Sequence, residues 1–496
     1  MKNRASASPL FTPRNSDRAT RRAARRALAE ATTRARATTP STPSAPTTRA
    51  QGTPLYPPRG RPGPASARSA RLKLPSHRMT TAVAAGAYPF LAEGGLAAPG
   101  LYIGQDVHAE SAFVFDPFEL YGRLGNFTNA NVLLAGVIGQ GKSALAKSLA
   151  VRSAAFGYRI YVPSDPKGEW SAVADALGGT TVALGPGLPG RLNPLDPPPS
   201  RPRDVTETDW AAEVRKRRLF LLASLARTIL RRDLRPMEHT ALDVALDTAV
   251  ATATTAGRAP LLGDVASVLH SPGALDHAAG SPEGQLAAAA RDLAHALRRL
   301  VRGDLADLFD APSTVQVDPT SPILTIDLSR LGDSGDDTAL VLAMTCASAW
   351  MEAALADPDG PRRWIIYDEA WRLLRHPALL HRMQAQWKLS RGLGIANLLV
   401  IHRLSDLLAA GDAGSSGRAV AEGLLADCGT RVLYRQEADQ LADTARLLGL
   451  TAVEAGAVAH LSRGRGLWKV ADRSFVVQHH LHPTERALYD TDSRMR

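Results

Sequence analysis

The stretch G-V-I-G-Q-G-K-S, Gly136 to Ser143, constrains this chain more than any other feature. It matches G-x-x-x-x-G-K-[ST] without departure. An apolar run over 132–135 precedes it and reads as a strand, and a helical pattern over 144–150 follows. A strand, loop and helix in that order close backbone N–H groups around a phosphate chain, and the helix N-terminus adds partial positive charge. The spacing therefore assigns Gly136, Val137, Ile138, Gly139, Gln140, Gly141, Lys142, Ser143 and Ala144 to nucleotide contact. Lys142 is placed to reach the β- and γ-phosphates of ATP, and the Ser143 hydroxyl to reach Mg²⁺.

A second phrase, W-I-I-Y-D-E over 364–369, is an apolar strand ending in two carboxylates. By itself an Asp-Glu pair is equally a solvated strand end. With a phosphate loop upstream it implies hydrolysis: Asp368 suits the water shell of Mg²⁺, and Glu369 suits the attacking water.

S-D-P-K-G-E, Ser164 to Glu169, follows the strand after the loop's helix and so emerges on the same edge as the phosphates. Asp165 and Glu169 are candidates to approach the metal or the water, although a plain turn accounts for Asp-Pro and Lys-Gly too. His402 and Arg403 end the strand over 397–401, as a γ-phosphate sensor or as a cap and a solvated cation. Arg391 and Arg431 are arginine-finger candidates, or simply arginines near helix and strand ends. The run His479–His482 has no carboxylate or Cys to complete a metal site. The S-x-x-K match from Ser164 to Lys167 is too short to carry a hydrolase reading.

Apolar strands alternate with helical patterns from about residue 98 onward, which predicts an α/β fold, a mainly parallel sheet with helices on both faces. The chain divides into a first part of the core over 98–195, a helical insertion over 196–320 and a second part over 321–490. With 496 residues it can bury a large core. Residues 1–80 are different: they carry 17 Lys and Arg against two Asp and Glu, and almost no large apolar residues. Such a segment is expected to be a disordered basic tail, in which 21–31 could form a basic helix on an anionic surface. The tail nets +15 and the remaining residues net −4. The positive charge is therefore no argument for a nucleic-acid-binding body. Cys346 and Cys428 lie in apolar surroundings with no metal spacing, as buried thiols of a reducing compartment would. The longest apolar run, 339–351, is too short to span a bilayer and reads as a buried helix, so no integral membrane segment is expected.

Taken together, the motifs resemble the HerA–FtsK superfamily of ring-forming P-loop motors, and within it the conjugation and type IV secretion ATPases of the TraC/TrbE (VirB-type) kind. GVIGQGKS, DPKGEW (165–170), RLNPLD (191–196) and IIYDEAWRLL (365–374) carry the resemblance. LTIDLSRL (324–331) and LLGLTAVE (447–454) add to it, and the match covers roughly 100–490. The resemblance implies a RecA-like core, ATP and Mg²⁺, a homo-hexamer, and attachment to channel components at the cytoplasmic face of the inner membrane. It implies metal and base roles for Asp368 and Glu369, and places Asp165 and Glu169 in the motif's acidic turn. Arg391 matches an arginine of an Arg-Lys-Gly-like phrase, with Gly392 in place of the lysine. His402 stands where relatives commonly have Gln. Relatives of this branch carry a folded N-terminal docking domain where this chain has mostly its tail, so either that domain is a separate chain or the motor serves a different system.

The expected function is thus an ATP-driven ring motor for conjugative transfer or type IV secretion. Two alternatives stand beside it. One is a translocase acting directly on duplex DNA, with DNA contact through the basic tail. The other is an ATP-binding scaffold that assembles without turnover.

Overall fold

The structure, a computed structural model, describes residues 95–489 except 122, 126, 200, 203–204, 272–274, 278–281, 283, 304, 317, 319, 333–336, 356–359, 371, 373–375, 403 and 405–414. The expected basic tail, its 21–31 segment and Arg403 lie outside the described residues.

Among the described residues, eleven strands form one sheet. In chain order they are β1 (Leu101–Asp106), β2 (Ala112–Phe115), β3 (Val132–Ala135), β4 (Arg159–Asp165), β5 (Thr180–Ala183), β6 (Ile323–Asp327), β7 (Arg363–Tyr367), β8 (Ile395–Ile401), β9 (Thr430–Leu433), β10 (Arg465–Val470) and β11 (Arg473–His479). Their spatial order is β2-β1-β11-β10-β9-β3-β8-β7-β4-β6-β5. From β9 to β5 every neighbouring pair is parallel. From β9 outward to β2 every pair is antiparallel. The fold is therefore the mainly parallel α/β sheet expected, extended at one edge by an antiparallel group. β8 lies between β3, which leads into the phosphate loop, and β7, which leads into Asp368.

The parallel strands are apolar along their length because both faces are covered. In β3, Leu133 and Ala135 enter one core, while Val132 and Leu134 enter the other. Helices α1 (Lys142–Ala155) and α2 (Ser171–Leu177) cover the Val132 face through Leu145, Leu149 and Val173. The opposite face is covered by further helices, among them α3 (Glu207–Leu230), α4 (Pro236–Thr255), α5 (Arg291–Arg302), α6 (Asp337–Ala354), α7 (Pro377–Ser390) and α8 (Ser416–Ala426). The first three come from the stretch between β5 and β6. Their Leu225, Leu246 and Leu297 join the same core as Leu133 of the sheet.

α6 contains the apolar run read from the sequence, and its Leu340, Met344, Ala347 and Met351 are all buried. One charged cluster is sunk in this core. Glu352 of α6 accepts from Arg382 of α7 and from Ser348, and its backbone carbonyl accepts from Arg217 of α3. Both cysteines are buried and unpaired, and burial pushes each thiol up to about 12. Among the described residues no helix is long and apolar enough to cross a membrane.

Candidate active site

Because β3, β4, β7 and β8 run parallel, the segments leaving their carboxyl ends meet on one edge of the sheet. Those segments are the phosphate loop, the Asp165–Trp170 turn, the Asp368–Glu369 pair and His402.

The loop is pinned on two sides. Val137 N–H donates to the Arg435 carbonyl at 3.1 Å, and Gly464 N–H donates to the Gln140 carbonyl at 3.0 Å. Gly136 approaches β9's exit so closely that a Cβ there would stand 2.6 Å from Tyr434 Cβ. Gly141, the N-cap of α1, adopts φ +102°, a region open to glycine. α1 then starts at Lys142, so its unpaired first N–H groups face the cleft. Lys142 Nζ donates to the carbonyls of Gly136 at 2.6 Å and Val137 at 2.9 Å. Burial depresses its pKa to about 8, opposed by the nearby charges of Asp368 and Glu369. Ser143 and Ala144 line the same cleft, and Ile138 at the loop's tip is exposed.

Asp165 ends β4 and organises the turn after it. Its Oδ1 accepts from Lys167 N–H at 3.2 Å and its Oδ2 from Trp170 N–H at 2.7 Å. Burial raises its pKa to about 6; the Trp170 and Glu169 backbone donors oppose this, while Asp327 and Asp368 add to it. The turn's two ends then reach different partners. Glu169 pairs with the buried Lys147 of α1 at 2.9 Å. Trp170, wholly buried, donates its indole N–H to Asp368 Oδ2 at 3.0 Å.

Asp368 is buried, and burial pushes its carboxyl up against the Trp170 donor that opposes the shift. Glu369 adopts φ +56°, a left-handed conformation uncommon for a residue with a Cβ. That bend turns its carboxylate toward His402 Nε2, 3.1 Å from Oε1 and 3.3 Å from Oε2, and toward Lys167 Nζ, 2.5 Å from Oε1.

Beside Asp368 and Glu369 is a cleft of about 550 Å³ lined by Lys142, Ser143, Lys167, Glu169, His402, Arg463, Arg486 and Tyr489. The donor set fits ATP with Mg²⁺. Cations and free helix N–H groups surround the place for the phosphates, while Ser143 supplies a hydroxyl and Asp368 an oxygen ligand of the hard type that Mg²⁺ takes. Among the described residues no group of three or more His, Cys, Asp or Glu side chains is arranged as a metal site by itself. A Mg²⁺ here would take its remaining ligands from phosphates and water.

The structure thus brings together the loop, Asp165, Glu169, Asp368, Glu369 and His402. It does not bring the two arginines to them. Arg391 is exposed at the amino ends of the parallel strands, beside Asn129 and Ile395 in a separate depression of about 340 Å³. The length of β8 separates it from the cleft, about 20 Å at ~3.3 Å per residue. Arg431 lies within β9, opposite Leu133, and reaches the Leu448 carbonyl at 3.5 Å, where it meets the end of the helix Ala438–Leu448. The histidine run is divided among separate tasks. His479 is on β11, His480 Nδ1 faces Tyr102 Oη at 2.8 Å, and His482 Nδ1 faces Thr484 Oγ1 at 2.7 Å. Residues at the site with no role assigned from sequence include Lys147, Arg463, Arg486 and Tyr489, and in the turn itself Lys167 and Trp170. The signal for the last two was their place in the turn phrase, but only the fold shows which carboxylates they meet.

No protein-family model matches the sequence, and no curated protein matches it. Among solved structures, VirB4 of Thermoanaerobacter pseudethanolicus superposes with a TM-score of 0.63 at 21% identity, covering 79% of this chain and 99% of that one. The plasmid coupling protein TrwB in complex with the non-hydrolysable ATP analogue ADPNP gives a TM-score of 0.50 at 15% identity, covering 71% of this chain and 85% of that one. At these identities the likeness establishes the fold. It is a RecA-like P-loop core, and these neighbours are of the kind that the motif ensemble resembles.

Proposed function

We propose that this chain is an ATP-hydrolysing motor that powers conjugative transfer or type IV secretion, working as a homo-hexamer attached to channel components at the cytoplasmic face of the inner membrane. The observation that supports it most is the approach of Asp368 and the left-handed Glu369 to Lys142, because a binding scaffold has no need of a strained carboxylate beside its phosphate loop. In this reading the loop N–H groups and Lys142 hold the phosphates, and Ser143 and Asp368 would hold Mg²⁺, which would neutralise charge on the phosphates. Glu369 orients a water and takes its proton as the water oxygen bonds to the γ-phosphorus and the bond to the ADP oxygen breaks. Arg391 and Arg431 would act only from a neighbouring copy.

The test is ATP turnover of the full chain, with Lys142→Ala and Glu369→Gln beside it, and a mass measurement of the assembly. Lys142→Ala should lose nucleotide affinity, and Glu369→Gln should still bind nucleotide and lose turnover. Turnover that survives Glu369→Gln would refute the base assignment. Purified channel components that fail to bind in every nucleotide state would sink the secretion assignment. Hydrolysis stimulated by duplex DNA, with an affinity that falls as salt rises and depends on residues 1–80, would favour direct DNA translocation instead.

A further inference from the structure

Glu369 carries a restraint that the proposed chemistry does not use. Lys167 stands at the tip of a turn whose backbone is held by Asp165 and by Gly168 at φ +68°. Its Cα is therefore fixed, while its side chain, 51% exposed, lines the same cleft as Lys142. The ammonium ends 2.5 Å from Glu369 Oε1, and His402 Nε2 meets the same carboxylate. A carboxylate whose oxygens already accept from two neighbours has fewer lone pairs for the proton of an attacking water. A half-exposed lysine pair is also weak and mobile, on a stem of four carbons.

We propose that Lys167 is a positioning residue that exchanges partners: it restrains Glu369 until nucleotide enters, then turns its ammonium to the γ-phosphate and so removes one donor from the carboxylate that meets the water. The inference rests on the ATPase reading above and adds regulation to it. A terminal phosphoryl group carries more negative charge than one carboxylate, and Lys142 and Lys167 both line the cleft. ADP, which lacks that group, leaves the Lys167–Glu369 pair in place. The exchange thus opens one acceptor position on Glu369 only when there is a bond to break.

The experiment measures binding of ADP and of ADPNP to the full chain by calorimetry in four forms: wild type, Lys167→Met, Glu369→Gln and the double variant. Lys167→Met should weaken ADPNP about tenfold and change ADP less than twofold, and Lys167→Arg should restore the preference for ADPNP. Glu369→Gln releases Lys167, so it should tighten ADPNP severalfold, and that gain should vanish in the Lys167→Met background. Equal weakening of ADP and ADPNP, additive effects of the two substitutions, or no change at all would each overturn the proposal. If the wild type binds both nucleotides but hydrolyses neither, the ATPase reading fails while the binding cycle still decides the role of Lys167.

Discussion

Trp170 and Asp368 lie 198 positions apart in the chain, yet the indole N–H of one donates to the buried carboxylate of the other at 3.0 Å. The bond ties the turn after β4 to the tip of β7 and fixes which way Asp368 faces. Trp170→Phe keeps most of the packing and removes the donor. It should cost about 1–3 kcal/mol, the usual penalty for orphaning one partner of a buried hydrogen bond to a charged group. Urea unfolding checks the stability. Turnover should fall while ADP affinity holds, and equal loss of both would point to a collapsed loop instead.

The backbone at Glu369 gives a second prediction. Its φ of +56° penalises any side chain with a Cβ, whereas glycine adopts that angle freely. Glu369→Gly and Glu369→Ala both abolish the carboxylate's contacts. The glycine variant should nevertheless be the more stable of the two by about 1 kcal/mol. Thermal melts of the pair measure the difference, and an alanine variant as stable as the glycine one would show that the backbone relaxes.

Asp165 predicts a dependence on pH. Burial raises its pKa from the ordinary 3.8 to about 6, so the folded chain keeps a proton that the unfolded chain has already released in that window. Stability therefore falls as pH rises from about 4 to about 6 and is flat above, by on the order of 1–3 kcal/mol. Asp165→Asn removes that slope. Denaturant midpoints at several pH values, wild type against variant, test the sign, and parallel curves would contradict it.

The sunken Glu352–Arg382 pair joins α6 to α7, and the Glu352 carbonyl receives Arg217 from α3. Removing one partner leaves a buried charge alone. Arg382→Leu should cost about 3–5 kcal/mol, and adding Glu352→Leu should recover most of it. Equilibrium unfolding of the two variants and the wild type measures the recovery.

The phosphate loop and the Asp-Glu strand end were legible in the sequence because their chemistry is local. A few residues, a strand and a helix suffice to place Lys142 or Asp368. The strands of the parallel sheet were legible for the same reason, as short apolar runs between helical patterns. The β10–β11 hairpin was not read as strands. Its two-residue connection is Ala471-Asp472, with Ala471 at φ +52°, where the usual Asn-Gly signal is missing. The partners of Lys167 and Trp170 depend on strand order, which no local pattern encodes. The position of Arg391 was legible by contrast, since it precedes β8 while His402 follows it.

That strand order has a metric consequence. With β8 interposed, the tips of β3 and β7 stand two inter-strand spacings apart, about 9.6 Å. The backbone ladder of three strands therefore works as a ruler between the anchor of the phosphate chain and the carboxylate facing its far end. Loops around the cleft can drift without altering that span. A shift of register between β8 and either neighbour would change it, and would do so for every nucleotide the cleft receives.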